Sequence, residues 1–242
     1  MRLIFLVFTL FFAGFVQSAE MTVQKMSVET RQGPVAVQCY TDDTKSRPLV
    51  VLLHGSSGFN AFQKFYESYA SALVAHGNRV CAVIYHNSED SNYMKNADNN
   101  KRSRLYQRFD AWVEATEDVV SYLNQQAETK SGQVGLMGFS QGAILSLEVA
   151  AKMSSVKAVV EFYGALPPQA TERIKQLPSL LVLHGDADQT IPVQEAYTVE
   201  TFAKSHAPNC AIKIYHGAGH GFDGADRTDS MKMASEFFKA HL

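Results

Sequence analysis

The stretch Val134–Gly142 limits what this chain can fold into more than any other part of it. Its sequence is V-G-L-M-G-F-S-Q-G, in which a short apolar run typical of a buried strand leads into a turn. The last five residues fit G-x-S-x-G, a tight strand-to-helix turn that lifts a serine hydroxyl above the edge of a sheet. Strand and helix pass so close to that serine that the positions two before and two after it have no room for a side chain. The pattern predicts a strand, a sharp turn at Ser140 and a helix over Ala143–Met153.

Apolar strands and amphipathic helices alternate along the rest of the chain, which predicts an α/β fold with a mostly parallel central sheet and helices on both faces. Two alternating segments, Met21–Val28 and Pro34–Tyr40, meet at Gly33 and predict an antiparallel hairpin at a sheet edge. Further strands are predicted at Leu49–Leu53, Arg79–Tyr85, Val156–Phe162, Leu180–His184 and Ala211–Tyr215. Further helices are predicted at Ala61–His76, Leu105–Gln126, Val193–Ser205 and Thr228–His241. The polar segment His86–Arg104 is predicted to be a long irregular connection at the carboxyl end of a strand, where α/β proteins usually bind ligands, with a solvated loop of no function as the alternative. The indole of Trp112 is predicted to pack in the core.

The first residues have the features of a secretory signal peptide. Arg2 precedes an apolar run from Leu3 to Val16, and the small residues Ser18 and Ala19 follow. The run is shorter than a membrane-spanning helix requires, so a cleaved signal over residues 1–19 is favoured over an anchor. We therefore expect a secreted or periplasmic protein with a single domain over residues 20–242 and no membrane span after cleavage.

Neither the charge nor the cysteine spacing indicates a nucleic-acid partner, an anionic membrane surface or a metal site. The formal net charge of −2 gives no indication of a nucleic-acid partner. Cys39, Cys81 and Cys210 are odd in number and lack the spacing of metal ligands. They are predicted to be buried small hydrophobic residues, with one disulfide as the alternative in an oxidising compartment.

Three residues follow predicted strands in the order that serine hydrolysis on this kind of sheet requires. A serine hydroxyl is a weak nucleophile near neutral pH, so an imidazole must accept its proton and a carboxylate must hold the tautomer of that imidazole. In the α/β-hydrolase arrangement these groups appear in the chain order serine, acid, histidine. Ser140, Asp188 and His220 occur in that order. We predict that they are nucleophile, acid and base.

The chain resembles the dienelactone hydrolase family of α/β-hydrolases from about Leu49 to the C-terminus. The motifs that carry the resemblance are L-L-H-G at Leu52–Gly55, G-F-S-Q-G at Gly138–Gly142, F-Y-G at Phe162–Gly164, H-G-D-A-D-x-x-I-P at His184–Pro192 and G-H-G-F at Gly219–Phe222. The resemblance implies the α/β-hydrolase fold and hydrolysis of esters or lactones through an acyl-enzyme. Dienelactone hydrolases proper use a cysteine nucleophile, whereas this chain has Ser140, so we expect a broader carboxylic-ester hydrolase.

The resemblance also separates two neighbouring carboxylates. The family pattern places the acid three residues after the glycine, which selects Asp188 and leaves Asp186 as a carboxylate that caps the loop. His54, His184 and His216 follow separate strands without the close spacing of metal ligands. No metal or organic cofactor is therefore predicted, and His54 is expected to shape the turn after its strand.

The remaining site predictions concern the oxyanion and the acyl group. The backbone N–H of Gln141 and that of Ser56, with Ser57 as second choice, are predicted to bind the oxyanion. Phe139, Tyr163 and Phe222 lie beside the motifs and are predicted to line the acyl pocket, with core packing as the alternative.

The predicted function is hydrolysis of small soluble carboxylic esters or lactones. Two alternatives stay open at this point, an acyltransferase that uses the same triad and a non-catalytic binding protein on the same fold. A lipase is not favoured, because the sequence shows no amphipathic insert that would act as a lid.

Overall fold

The computed structural model describes residues 21–42, 45–96 and 101–242. The predicted signal segment lies outside the described residues. The strands are β1 (Thr22–Thr30), β2 (Gly33–Thr41), β3 (Arg47–Leu53), β4 (Arg79–Ile84), β5 (Thr129–Phe139), β6 (Val156–Phe162), β7 (Ser179–Gly185) and β8 (Cys210–Tyr215). The helices are α1 (Gln63–Ala75), α2 (Ser88–Asn96), α3 (Lys101–Asn124), α4 (Gln141–Lys152), α5 (Ala170–Arg173), α6 (Gln194–His206) and α7 (Gly224–His241), and a 3-10 turn at Asn60–Phe62 precedes α1. None of the helices in the described ranges has the length and apolarity to cross a membrane.

The strands form one sheet in the order β1-β2-β4-β3-β5-β6-β7-β8. β2 is antiparallel to both of its neighbours, β1 and β4, whereas all pairs from β4 to β8 are parallel. The predicted mostly parallel sheet with an N-terminal hairpin at its edge is confirmed. Because β3 to β8 run in one direction, their carboxyl ends meet at one edge of the sheet, where α/β proteins bind ligands.

Buried apolar layers cover both faces of the sheet. Trp112 of α3 and Val199 of α6 belong to one layer, whereas Tyr69 of α1 and Phe238 of α7 belong to the other. Residues Leu49–Leu53 alternate between the two layers and expose no surface. This explains why Leu49–Leu53 is continuously apolar, because a strand segment covered on both faces has few positions for a polar side chain.

The hairpin is joined to the rest of the sheet by a disulfide. Cys39 of β2 and Cys81 of β4 lie opposite each other in the strand register, and their sulfur atoms are bonded. Both side chains are buried, whereas Cys210 is a free, partly buried thiol. Of the two alternatives left open by the sequence, the structure therefore has the disulfide.

The prediction of an irregular connection over His86–Arg104 is wrong, because α2 and the start of α3 lie in this segment. The side chain of Asn87 caps α2 by accepting the N–H of Asp90 at 2.8 Å. Asp90 is itself buried, where it accepts the indole N–H of Trp112 at 2.8 Å and pairs with Arg108 at 3.2 Å. The buried side chains of α2 include the hydrogen-bonded Asp90 beside the apolar Met94, so a charged residue interrupts the apolar face of this helix.

Candidate active site

Ser140 lies at the turn between β5 and α4 in a strained backbone conformation. Its φ of 54° and ψ of −115° fall outside the regions that non-glycine residues prefer. Such strain costs about 1–3 kcal/mol and persists only where the surroundings enforce it. The N–H of Ser140 donates to the carbonyl oxygen of Phe162 at 2.9 Å, which ties the turn to β6.

The two glycines of the motif are enforced by close backbone approach. A Cβ at Gly142 would collide with the carbonyl of Leu53 and lie 2.6 Å from the carbonyl oxygen of His54. A Cβ at Gly138 would collide with the carbonyl of Gly142. The crowding predicted around Ser140 is therefore present, with β3 on one side and the first turn of α4 on the other.

Ser140, His220 and Asp188 form one chain of hydrogen bonds. His220 Nδ1 donates to Asp188 Oδ2 at 2.7 Å, and the Nε2 of the same ring lies 2.9 Å from Ser140 Oγ, whose proton it can accept. The three residues follow β5, β7 and β8, so the sheet brings their side chains to the same edge. The arrangement can hold the imidazole with its Nε2 lone pair toward the serine hydroxyl, as general-base catalysis requires.

The environment of Asp188 orients its carboxylate. The side chain has no solvent-exposed surface. Its Oδ1 accepts the N–H groups of Thr190 at 2.8 Å and Ile191 at 2.9 Å, which leaves Oδ2 for His220. Both oxygens are thus committed by short contacts, Oδ1 to the loop after β7 and Oδ2 to His220 in the loop after β8.

His184 supports this loop from inside the protein. Its Nε2 donates to the carbonyl oxygen of Ile191 at 2.9 Å and lies 3.5 Å from Asp188 Oδ2. Burial lowers the pKa of His184, so its contact with Asp188 is that of a neutral imidazole rather than an ion pair. The sequence had indicated only that this histidine was not a metal ligand.

Asp186 points away from the triad and joins two loops. Its Oδ1 accepts the N–H of Gly217 at 2.7 Å, and its Oδ2 lies 2.8 Å from His216 Nδ1. The Gly217 hydrogen bond, followed by that from His216, lowers the pKa of Asp186. This carboxylate therefore fastens the loop after β8, which carries His220, to the loop after β7.

The two backbone N–H groups that the sequence predicts as oxyanion donors have no hydrogen-bond acceptor within the described chain. The N–H of Gln141 is the first of α4, and the first N–H groups of a helix have no acceptor within it. The carbonyl oxygen of Gly55 accepts the N–H of Gly58 at 3.0 Å and His54 Nδ1 at 2.8 Å. Since a trans peptide places its N–H opposite its carbonyl, these two bonds direct the Ser56 N–H away from the His54 ring.

Stacked rings surround His54 at the end of β3. The imidazole is fully buried and stacks on Tyr85 with ring centroids 4.1 Å apart, and it meets the edge of His86 at 4.8 Å. Burial lowers the pKa of His54 to about 3, so the ring stays neutral and donates from Nδ1. His86 Nε2 in turn accepts the side-chain amide of Gln141 at 3.2 Å. This contact was not predicted, because it joins residues 55 positions apart that share no motif.

The structure places the three predicted pocket residues in the core. Phe139 is 1% exposed and stacks on Phe162 beneath the turn. Tyr163 and Phe222 are also buried, but they lie nearer the triad, because the Tyr163 ring is 4.9 Å from that of His220 and 5.3 Å from that of Phe222. Of the three rings, Tyr163 is the one in direct contact with a predicted catalytic side chain.

Two cavities in the described part of the chain lie away from Ser140. One, of about 20 Å³, is lined by Trp112 and Arg108, and the other, of about 400 Å³, is a polar surface groove beside Arg31. In the same residue ranges there is no group of three or more side chains suited to hold a metal ion.

Comparison with protein families identifies the chain. Residues 35–240 match the model of the dienelactone hydrolase family. The chain belongs to the dienelactone hydrolase family. This assignment makes it a hydrolase that acts on esters or lactones.

Individual proteins that resemble this chain are consistent with its membership of the family. The carboxymethylenebutenolidase of Pseudomonas putida is 28% identical over 183 residues, which cover 72% of this chain and 75% of the relative. The crystal structure of a dienelactone hydrolase from Anabaena variabilis superimposes with a TM-score of 0.75 at 20% identity, covering 92% of this chain and 99% of the other. A hyperthermophilic esterase from Pyrobaculum calidifontis gives a TM-score of 0.71 at 17% identity, over 90% and 85% of the two chains. At these identities the structural matches show the shared fold.

Proposed function

We propose that the protein is a serine hydrolase that cleaves small soluble esters or lactones through an acyl-enzyme. The single observation that carries the proposal is the hydrogen-bonded chain from Asp188 through His220 to Ser140, with contacts of 2.7 and 2.9 Å. Nucleophile, base and orienting acid stand in the relation that serine hydrolysis needs.

The reaction follows from this geometry. Ser140 Oγ attacks the carbonyl carbon of the ester while its proton passes to His220 Nε2, and the carbonyl oxygen becomes an oxyanion at the N–H groups of Gln141 and Ser56. The imidazolium that forms is stabilised by Asp188. Collapse of the tetrahedral intermediate breaks the bond to the alcohol oxygen, which takes the proton from His220. Water, activated by the same imidazole, then releases the acid from Ser140.

The relatives support a lactone or small ester as substrate. A carboxymethylenebutenolidase cleaves a lactone, and this chain shares its family but has serine as the candidate nucleophile. In a lactone the leaving alcohol stays attached to the acyl group, so one hydroxy acid is the product. We expect short acyl chains to be preferred, because a chain outside the pocket gains none of the ~0.8 kcal/mol that each buried methylene contributes.

We also propose that the protein is located outside the cytoplasm. The sequence predicts a signal peptide over Met1–Ala19, and the disulfide between Cys39 and Cys81 is of the kind that persists in oxidising compartments. Processing of the N-terminus in a bacterial host tests this part. An unprocessed protein in the cytoplasm would contradict it.

A fluorophosphonate probe tests the nucleophile. Peptide mass analysis after labelling should find the adduct on Ser140, and an adduct on Ser56 or Ser57 would refute the assignment. In parallel, kcat/KM for p-nitrophenyl esters from acetate to palmitate, and for a five-membered lactone, should be highest for the lactone and the short esters. Preference for palmitate, or a rate that rises when the ester aggregates, would contradict the proposed substrate class.

A further inference from the structure

Tyr66 of α1 lies beneath the loop that carries Ser56. Its phenol oxygen accepts the N–H of Gly55 at 3.0 Å. The side chain is 4% exposed and packs against Phe59 and Phe139, with ring centroids 5.5 and 5.4 Å away. Two aromatic neighbours and one hydrogen bond therefore hold the hydroxyl in place.

The hydroxyl is close to the candidate nucleophile. A Cβ built on Gly55 would lie 3.6 Å from the phenol oxygen and 3.6 Å from Ser140 Cβ. The phenol oxygen and Ser140 Cβ are therefore no further apart than twice that distance. A substrate carbonyl bonded to Ser140 Oγ can reach into this separation.

The proton of the phenol is available as a donor. A tyrosine hydroxyl can accept hydrogen bonds and donate one. The N–H of Gly55 uses its acceptor capacity, and no group in the described part of the chain accepts its proton. Burial raises the pKa of Tyr66, so the phenol keeps its proton at neutral pH.

We propose that Tyr66 donates its phenolic O–H to the carbonyl oxygen of the bound substrate, as a third donor beside the N–H groups of Gln141 and Ser56. The assignment rests on the proposed function. It requires no proton transfer from Tyr66, because the hydrogen bond only strengthens as the carbonyl oxygen gains negative charge. Since the phenol also fixes Gly55, one side chain would both contact the substrate and hold the loop that contacts it.

The variant Tyr66→Phe keeps the ring and removes the hydroxyl. Removal of one oxyanion donor lowers kcat by about 10²-fold or more in other hydrolases, and we expect a loss of that order with KM little changed. Tyr69→Phe is the matched control, because Tyr69 is a buried tyrosine one turn later whose hydroxyl bonds to Ser230 at 2.8 Å. It should keep the wild-type kcat, and both variants should be checked for similar thermal unfolding.

A second substitution separates donation from simple support of Gly55. Replacement of Tyr66 by 3-fluorotyrosine makes the phenol a stronger donor and a weaker acceptor, so kcat should equal or exceed that of the wild type at a pH where the phenol is protonated. A lower kcat would overturn the proposal, since it would mean that accepting the Gly55 N–H is the function that counts.

The same measurements distinguish failure of the proposed function from failure of the Tyr66 assignment. If the wild-type protein neither hydrolyses esters nor reacts with a fluorophosphonate at Ser140, the proposed function falls and the Tyr66 assignment with it. If the wild type does both while Tyr66→Phe keeps full kcat, only the assignment of Tyr66 is wrong.

Discussion

The substitution Asp188→Asn changes one atom of the carboxylate, and the structure dictates how the amide must lie. The N–H groups of Thr190 and Ile191 both point at Oδ1. The amide oxygen must therefore stay at that position, because the NH₂ group would face two donors there. The NH₂ group then replaces Oδ2 and faces His220 Nδ1, which lies 2.7 Å from Oδ2 in the native protein.

That orientation reverses the tautomer of His220. With a donor opposite it, Nδ1 must become the acceptor, and the proton moves to Nε2, where it faces Ser140 Oγ. The ring can then no longer accept the serine proton. In serine proteases the same exchange lowers kcat by about 10⁴-fold, and we expect a loss of that order here, which corresponds to about 5 kcal/mol of transition-state stabilisation.

Asp186→Asn is the matched control. Asp186 differs in being exposed and in contacting Gly217 and the exposed His216 instead of the triad. Its exchange should lower kcat by less than about 10-fold, since exposed pairs contribute little. The assay is kcat and kcat/KM for p-nitrophenyl acetate, with thermal unfolding to verify folding. Equal losses in both variants would refute the tautomer argument and the choice of acid.

Three further predictions concern stability. Burial raises the pKa of Glu161 from 4.5 to about 8, so between these pH values the folded state keeps a proton that the unfolded state has lost. As pH rises through this window, the free energy of unfolding of the wild type should fall by roughly 3–5 kcal/mol relative to that of Glu161→Gln. A difference between the two proteins that does not change with pH would contradict this. Replacing Cys39 and Cys81 together by alanine should cost about 2–4 kcal/mol in denaturant unfolding, and an unchanged midpoint would show that the disulfide does not form. Gly142→Ala should lower the unfolding temperature by several degrees because of its collision with β3, whereas Gly219→Ala, whose Cβ meets nothing within 4 Å, should not.

Most of the fold and the candidate triad could be predicted because their causes are local. Continuous apolar runs such as Leu49–Leu53 belong to strands covered on both faces, and the structure places them there. The glycines around Ser140 reflect a collision within one turn of chain, which is visible as a five-residue pattern. The order of Ser140, Asp188 and His220 needs only that each follow a strand of a parallel sheet.

The remaining features depend on which strands become neighbours. Cys39 and Cys81 can pair because β4 lies next to β2, and no local pattern in either segment indicates that the two strands are adjacent. The helix α2 does not follow from the sequence pattern, because its buried Asp90 interrupts the apolar stripe that would indicate a helix. The hydrogen-bond partners that make this burial possible lie in α3. Tyr66 was not singled out either, because its ring looks like ordinary helix packing until the N–H of Gly55 is placed beside its hydroxyl.

The buried histidines connect the two proposed oxyanion donors, which follow different strands. The N–H of Ser56 follows β3 and that of Gln141 follows β5, so neither strand alone can set the distance between them. His54 fixes the first peptide through the Gly55 carbonyl, and His86 holds the residue of the second through its side chain. The two imidazoles are in edge contact at 4.8 Å, and both pack against Tyr85. We expect this stack to hold the proposed donors in position before the substrate binds, because preorganisation is what makes hydrogen bonds to a developing charge effective.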